Sequence, residues 1–223
     1  MRVAALLSGG KDSVFAIYIT KQLSWDISYL ITMIPENKDS WMFHSVNIHL
    51  AEKIAESLCI PLIKIYTMGE KEKEMDDLKE ILGQIDIDGV ISGAISSEYQ
   101  RTRIENICYE LNIRSFTPLW HKDPELLLRD QISADFKIMI VGVFAQGFDE
   151  SWLGRIIDEK CIKELNQLKN RYGINMAGEG GEFETLVLDA PLFKKKLVID
   201  GLMKRWRRDH GTLEIKTCYL MEK

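Results

Sequence analysis

The pattern of apolar and polar positions changes period repeatedly along the first half of the chain. Short apolar runs predict strands at residues 3–7, 27–34, 61–66, 88–92 and 114–119. Apolar positions at helical spacing predict helices at residues 43–58 and 70–85, one that begins near Ser13, and one with Ile104, Ile107 and Leu111 on one face. Since strands that alternate with helices form parallel sheets covered on both faces, we predict a Rossmann-like α/β fold for this half.

The second half follows a different pattern, in which strand signals predominate after Gly173. Residues 126–132 and 161–172 are predicted helices, and residues 137–144 a buried strand. Further strands are predicted at residues 185–188, 196–199, 202–208 and 213–221, with a hairpin turn at residues 209–211. In the last strand, four apolar residues alternate towards one side: Leu213, Ile215, Tyr219 and Met221. The change of pattern predicts a first domain at residues 1–120 and a smaller C-terminal α+β domain at residues 121–223.

Composition and charge narrow the class of protein. Hydrophobic residues make up 46% and charged residues 28% of the 223 positions, as in ordinary globular proteins. The formal net charge of -5 disfavours general binding to nucleic acid, and no apolar run approaches the ~20 residues of a membrane span. The four cysteines lie far apart without a CxxC pair, which argues against a zinc ribbon. We expect a cytoplasmic protein with reduced thiols and no membrane association; whether it forms a homo-oligomer stays open.

The first candidate for chemistry is SGGKDS at residues 8–13, called the phosphate loop below. It joins the first predicted strand to the first predicted helix, where ligands bind in parallel sheets. Its glycines leave backbone N–H groups free to form an anion-binding nest, and the helix start, Lys11 and two serine hydroxyls add to the attraction. Asp12 fits a helix cap or a carboxylate that reaches phosphate through Mg²⁺. The competing interpretation is an ordinary glycine turn; we favour phosphate binding and expect the loop to be exposed.

Two further stretches bring charged residues to the same edge of the predicted sheet. In GAISSEYQRTRIENIC, residues 93–108, Arg101 and Arg103 lie near a helix start, and guanidinium groups suit anionic oxygens. In GEGGEFETLVLDAP, residues 178–191, three glutamates share a glycine-rich turn that leads into a strand. Clustered carboxylates are costly unless they meet a cation or a proton, so these fit Mg²⁺, ammonium or a base. A solvated helix start and a solvated loop are the competing interpretations.

These motifs resemble known families. SGGKDS is similar to the SGGxDS signature of the N-type ATP pyrophosphatases, the PP-loop superfamily. Together with GAISSEYQRTRIE and EGGEFETLVLDAPLF it resembles the diphthamide synthase family, the diphthine–ammonia ligases, over most of the chain. The glutamate motif is the specific part, because SGGKDS alone indicates only the superfamily.

The resemblance implies a fold and an activity. The fold would be of the adenine nucleotide alpha hydrolase type, with residues 1–120 binding ATP and residues 121–223 holding the substrate. The reaction would convert the carboxylate of diphthine, on translation elongation factor 2, into an amide with ammonium. ATP and Mg²⁺ would be required, an acyl-adenylate would form, and AMP and pyrophosphate would be released.

The same resemblance, with the chemistry of the side chains, assigns candidate roles. The pyrophosphate would be held by Ser8, Gly9, Gly10, Lys11, Asp12 and Ser13, and the nucleotide lined by Gly93, Ala94 and Ser97. The predicted catalytic residues are Lys11, Asp12, Arg101, Arg103, Glu182 and Glu184. The predicted substrate contacts are Glu179, Glu182, Glu184 and Thr185, and the predicted metal ligand is Asp12.

Two other functions remain open at this point. A tRNA-modifying adenylating enzyme of the same superfamily would need a catalytic cysteine pair or zinc ribbon and a basic surface, neither of which is evident. An ATP-binding sensor without catalysis would account for SGGKDS but leaves the glutamate motif unexplained. Production of AMP distinguishes a ligase or a tRNA-modifying enzyme from the sensor, because a protein that only binds ATP releases none.

Overall fold

The computed structural model describes residues 1–35, 46–68 and 73–223. Its first half forms a parallel five-stranded sheet in the order β3-β2-β1-β4-β5. The strands are β1 (Arg2–Leu6), β2 (Asp26–Pro35), β3 (Leu62–Thr67), β4 (Gly89–Ile91) and β5 (Arg114–Phe116). The helices are α1 (Lys11–Gln22), α2 (Ala51–Leu58), α3 (Lys73–Gln84) and α4 (Glu98–Glu110). The predicted Rossmann-like fold class is confirmed.

Side chains on β1 alternate between two cores, which explains why helices cover both faces of the sheet. Val3 and Ala5 belong to a cluster that includes residues of α1 and α2, whereas Ala4 belongs to a cluster with residues of α3 and α4. The first cluster continues into the C-terminal half, where it includes Ile138 and Val187. The two halves of the chain therefore share one hydrophobic core; the domain boundary near residue 120 stays a prediction.

The C-terminal half contains a four-stranded antiparallel sheet in the order β7-β6-β9-β8, and two helices. The predicted α+β character is confirmed. Its elements are α5 (Pro124–Ser133), β6 (Lys137–Val143), α6 (Glu159–Tyr172), β7 (Phe183–Asp189), β8 (Lys195–Arg207) and β9 (His210–Glu222). The connection from α6 to β7, residues 173–182, carries the glycine-rich part of the glutamate motif.

Helix ends in this half follow from local sequence chemistry. Asp123 accepts N–H bonds from Glu125 and Leu126 at the start of α5, and Asp158 accepts one from Cys161 at the start of α6. α6 ends at Gly173, which has φ 73°, a left-handed conformation that glycine adopts without strain.

The last hairpin differs from its prediction. β8 is one strand of 13 residues where two were predicted, and the turn consists of Arg208 and Asp209, since His210 and Gly211 already pair with β8. Tyr219 and Met221, predicted to lie on one side with Leu213 and Ile215, are 50% and 40% exposed, whereas Leu213 and Ile215 are buried. The pairing register shifts on both sides of Gly201, and such irregularities reverse the alternation of side chains. Two other residues of β9 therefore pack against the core, Cys218 and Leu220.

Several helices and strands of the first half begin or end at residues other than those predicted. α1 begins at Lys11, two residues before the predicted start, and β5 ends at Phe116. Of the helix predicted at residues 43–58, positions 43–45 lie outside the described residues, residues 48–50 form a turn of 3-10 helix, and the α-helix begins at Ala51. Of the helix predicted at 70–85, residues 70–72 likewise lie outside. Among the described residues, no helix has both the length and the apolarity needed to cross a bilayer.

Candidate functional site

A cavity of about 240 Å³ lies at the carboxyl ends of the central parallel strands. Strand ends supply Leu6, Leu7, Ile31, Met33, Ser92, Gly93 and Ala94; the phosphate loop supplies Ser8, Asp12 and Ser13; Ile48, Gln100, Ile104 and Glu179 complete the lining. The wall is apolar beside β2 and polar beside the phosphate loop. Such a cavity suits a ligand with one flat apolar part and one anionic part.

The phosphate loop closes on itself through its two serines. Ser8 Oγ and Ser13 Oγ are 3.1 Å apart, and the backbone N–H of Ser8 donates to Ser13 Oγ at 3.3 Å. Gly9 has φ 85°, and its carbonyl accepts the N–H of Val187 on β7 at 3.0 Å. Gly9, Lys11 and Ser13 are buried whereas Ser8 is exposed, so the expectation of an exposed loop is wrong for half of its residues. The loop is enclosed because β7 of the C-terminal half packs directly against it.

The side chain of Lys11 points into the protein. It is 2% exposed, and its Nζ donates to Asp12 Oδ2 at 2.6 Å and to the carbonyl of Ala177 at 2.5 Å. Nζ also lies 5.7 Å from the centre of the Phe183 ring. In this arrangement the ammonium group ties the phosphate loop to the segment before β7. A buried ammonium requires such partners, because burial without them is strongly unfavourable.

Asp12 is held from two sides and lines the cavity. Its Oδ2 accepts from Lys11, and its Oδ1 accepts from the amide of Gln131 on α5 at 3.3 Å. Burial raises the pKa of Asp12 above its usual value; the charge of Lys11 opposes this, the charge of Glu179 adds to it, and the bond from Gln131 opposes it. The raised pKa means that its surroundings disfavour the ionised form of Asp12, and a nearby cation would favour that form.

Gln131 was not identified from the sequence. It is 0% exposed, and its Oε1 has no hydrogen-bond partner among the described residues. A signal was present, since a helical spacing places Gln131 on the inward face of α5 with Leu127 and Leu128. A polar side chain on an apolar helix face requires a buried partner.

Gly93 allows the end of β4 to approach the phosphate loop. A Cβ at this position would lie 2.7 Å from the backbone N of Ser13 and 2.8 Å from the backbone carbon of Asp12. Real Cβ atoms do not approach backbone so closely, so a larger residue would push β4 and α1 apart. Of the three predicted nucleotide-lining residues, Gly93 and Ala94 line the cavity, and Ser97 caps the start of α4.

The two predicted arginines lie on α4 without lining the cavity. The Arg101 guanidinium lies 4.5 Å from the centre of the Trp120 ring and pairs with Glu105 and Glu98 on its own helix. Arg103 stacks at 3.7 Å on the ring of Tyr99 and lines a separate groove between α3 and α4. The residues of α4 that do line the cavity, Gln100 and Ile104, were not identified from the sequence as site residues.

The glutamates of residues 178–185, called the glutamate segment below, accept hydrogen bonds from the backbone. Glu182 accepts the N–H of Asn175 at 2.8 Å and of Gly180 at 2.9 Å. Glu184 accepts the N–H of Val46 at 2.8 Å. Glu179 accepts three N–H groups from residues 95–97 and is the only one of the three that lines the cavity.

Thr185 links the glutamate segment to the phosphate loop. Its Oγ1 accepts the backbone N–H of Lys11 at 3.1 Å. That N–H belongs to the first turn of α1, where the helix itself offers no acceptor. Thr185 thus acts in place of a helix cap, since Gly10 at the capping position makes no side-chain bond.

Metal ligands are sparse around the cavity. Within residues 1–35, 46–68 and 73–223, no group of three or more His, Cys, Asp and Glu side chains is placed to hold a metal ion. Two of the four cysteines are deeply buried, and burial raises the pKa of both Cys108 and Cys161 to about 11. These thiols are unreactive at neutral pH.

Comparisons with known proteins match the whole chain to one family. The model of the diphthamide synthase N-terminal domain matches residues 1–115, and that of the diphthamide synthase C-terminal domain matches residues 123–221. A diphthine–ammonia ligase of Homo sapiens is 38% identical over 225 residues, which cover 90% of this chain and 84% of the relative. A diphthine–ammonia ligase of Schizosaccharomyces pombe is 35% identical and covers 100% of this chain and 39% of its own.

One solved structure aligns with most of this chain at low similarity. It is described as a predicted subunit of tRNA methyltransferase from Methanocaldococcus jannaschii. The match has a TM-score of 0.48 and 21% identity, and covers 86% of this chain and 98% of the other.

Proposed function

This chain belongs to the diphthamide synthase family, and on that premise we propose that it is a diphthine–ammonia ligase. The acceptor is the carboxylate of diphthine on translation elongation factor 2, and the nitrogen donor is ammonium. ATP activates the carboxylate as an acyl-adenylate, so that AMP and pyrophosphate leave and the amide of diphthamide remains.

The chemistry explains why ATP is needed. A carboxylate does not react with ammonia at neutral pH, because the departing group would be oxide. Transfer of the adenylyl group to one carboxylate oxygen makes that oxygen part of AMP, a good leaving group. The enzyme must hold pyrophosphate, place the carboxylate at the α-phosphorus and exclude water from the acyl-adenylate.

The observation that carries the proposal is the composition of the cavity. Residues of the phosphate loop, the end of β4 and the glutamate segment, far apart in sequence, line one space. Backbone N–H groups of the phosphate loop and the start of α1 are suited to the pyrophosphate. The apolar strand ends beside Ile31 and Met33 suit the adenine ring.

Mg²⁺ fits the donors present, provided that phosphate oxygens supply most of its ligands. Asp12 offers a partly exposed carboxylate, and Mg²⁺ commonly binds through one or two carboxylates together with phosphates. Bound there, the ion would neutralise charge on the phosphate chain. Lys11 would keep the same carboxylate ionised and oriented.

Four of the predicted catalytic residues do not line the cavity, and we propose roles for them outside it: Arg101, Arg103, Glu182 and Glu184. Arg101 and Arg103 are proposed to meet anionic groups of the protein substrate or of ATP as it binds. Glu182 and Glu184 are proposed to act on ammonium or to shape the loop that receives diphthine. Since both carboxylates already accept backbone N–H groups, we favour the shaping role.

The test combines ATP labelled at the α-phosphate, ammonium, Mg²⁺ and elongation factor 2 that carries diphthine. We expect labelled AMP only with the modified factor, together with the mass decrease that accompanies replacement of OH by NH₂. The matched control is elongation factor 2 without diphthine. AMP without a change in the factor would indicate another acceptor, with tRNA tested first; no AMP under any condition would favour a sensor of ATP.

A further inference from the structure

One carboxylate oxygen of Glu179 holds three consecutive backbone N–H groups. Oε1 accepts the N–H of Ile95 at 3.0 Å, of Ser96 at 2.8 Å and of Ser97 at 3.0 Å. Successive N–H groups that converge in this way form a nest for an anion. Hydrogen bonds to an ionised acceptor are stronger than neutral ones, so this contact fixes the segment firmly.

The segment held by Glu179 determines the shape of the cavity wall. It continues directly from Ser92, Gly93 and Ala94, which line the cavity, and leads into α4, whose Gln100 and Ile104 also line it. On its other side, the carbonyl of Ile95 accepts the N–H of His121 at 2.8 Å. A shift of residues 95–97 would therefore move both the end of β4 and the start of α4.

Glu179 is itself presented by a constrained turn. Gly178 has φ 74°, and a Cβ there would lie 2.8 Å from the carbonyl oxygen of Phe183. Gly181 donates to the carbonyl of Gly178 at 3.1 Å, and both oxygens of Glu182 hold backbone N–H groups of the same turn. The carboxylate of Glu179 is therefore delivered from the C-terminal half in a defined position.

We infer that Glu179 is a positioning residue, which holds residues 95–97 in place so that the nucleotide cavity has its binding shape. This differs from the substrate contact predicted from the sequence. Any effect of Glu179 on ligation rests on the proposed function, whereas its effect on the shape of the cavity can be tested by ATP binding alone.

The contact geometry separates this role from that of a base or an ammonium ligand. Glutamine keeps an acceptor oxygen of the same reach, and Oε2 of Glu179 makes no hydrogen bond among the described residues, so the amide NH₂ displaces no donor. Glutamine also removes a negative charge that acts on Asp12. A positioning residue therefore tolerates Glu179→Gln but not Glu179→Ala, whereas a base or ammonium ligand tolerates neither.

The experiment measures ATP affinity by calorimetry and amide hydrogen exchange over residues 92–104, in the full chain without the protein substrate. For Glu179→Ala we expect affinity for ATP to fall by about 10-fold or more and exchange at residues 95–97 to accelerate. For Glu179→Gln we expect affinity within about threefold of the parent and only a partial loss of protection, because a neutral oxygen holds the three N–H groups less strongly than a carboxylate. With elongation factor 2 added, Glu179→Gln should also retain its kcat within about threefold.

A matched control separates local positioning from general loss of stability. Asp123 also holds backbone N–H groups at a helix start, those of Glu125 and Leu126, both at 2.9 Å, and it does not line the cavity. Asp123→Ala should lower the melting temperature but leave affinity for ATP unchanged. Equal losses of ATP affinity in Asp123→Ala and Glu179→Ala would overturn the inference.

Three other results would also overturn it. Glu179→Gln with normal ATP affinity but kcat lowered about 100-fold would make Glu179 a catalytic residue. Tighter ATP binding by Glu179→Ala would show that the carboxylate competes with the nucleotide. Complete loss of protection at residues 95–97, or a loss of ATP affinity of about 10-fold or more, in Glu179→Gln would contradict the acceptor role, even if the alanine variant fails to fold. Failure of ligation in every variant would bear on the proposed function, and the binding and exchange results would still decide the role of Glu179.

Discussion

The phosphate loop and the glutamate segment are both glycine-rich connections, yet they supply opposite groups. The phosphate loop leads from β1 into α1, and its Ser8, Asp12 and Ser13 line the cavity. The glutamate segment leads into β7, and its three carboxylates are acceptors for backbone donors elsewhere. We propose that the first receives an anion; the second satisfies N–H groups of the protein itself.

The two segments also depend on each other. Thr185 accepts the N–H of Lys11, and Gly9 accepts the N–H of Val187, so the start of β7 lies directly on the phosphate loop. Lys11 in turn donates to the carbonyl of Ala177, just before the glutamate segment. The comparison teaches that one glycine-rich segment can line a cavity while another, of similar composition, holds that cavity together.

The largest expected effect is at Asp12. Asp12→Asn should lower ligation at least about 100-fold, because the only carboxylate of the phosphate loop is lost. It should fold, since the carbonyl of asparagine still accepts from Lys11 and Gln131 can turn its amide to accept the new NH₂. Both substitutions remove the counterion of Lys11, but Asp12→Ala also removes its side-chain acceptor and should therefore lower the free energy of unfolding by about 2 kcal/mol more than Asp12→Asn. Ligation assays and urea unfolding check the two parts; equal stability of both variants would contradict the role of the side-chain oxygen as the acceptor for Lys11.

Glu182→Gln should have an intermediate effect, confined to ligation. Both oxygens of Glu182 accept N–H groups, and glutamine has only one acceptor, so the turn is loosened on one side. We expect ligation to fall about 10-fold, because displacement of the glutamate segment would misplace the diphthine that we propose binds beside it. Affinity for ATP should stay within about threefold, because one bond from residue 182 still holds the turn and Glu179 keeps its own three bonds. A loss of about 1,000-fold with unchanged ATP affinity would instead identify Glu182 as a general base.

Thr185→Val tests the contact between the two segments. The substitution keeps the shape of the side chain but removes the acceptor for the N–H of Lys11. We expect the free energy of unfolding to fall by about 1 kcal/mol, with ATP affinity weakened to a similar extent. Thr185→Ser is the control and should restore both values in calorimetry and unfolding. If valine matches threonine, the start of α1 does not depend on β7.

The smallest expected effect is at Gln131. Gln131→Met removes one 3.3 Å hydrogen bond to Asp12 but also removes a buried carbonyl oxygen that has no partner among the described residues. These changes oppose each other, so the free energy of unfolding should change by less than about 1 kcal/mol. Urea unfolding measures this balance. A larger loss would mean that Gln131 contributes more to the phosphate loop than its geometry indicates.

The fold class followed from periodicity, whereas register did not. Strands that alternate with helices predicted the parallel sheet, and β-type pattern after Gly173 predicted the second sheet. Tyr219 and Met221 were assigned to the wrong face, because an irregular register near Gly201 leaves no mark in the alternation of residues. The order of residues within one strand is local information. The face to which each side chain points also depends on how that strand pairs with its neighbour.

The sequence by itself determined which residue types were available: a glycine-rich anion nest after β1, a glycine at the end of β4, and a cluster of glutamates. Those choices are local, since turns and close approaches restrict the residue at a single position. Only the tertiary structure decided what the charged groups contact. Lys11 turns inward to Asp12 and Ala177, Arg101 rests on Trp120, and Glu179 holds residues 95–97. The physical reason is that a fully or partly buried charge needs a partner, and that partner comes from whichever distant segment packs next to it. Spacing along the chain does not reveal which segment that is.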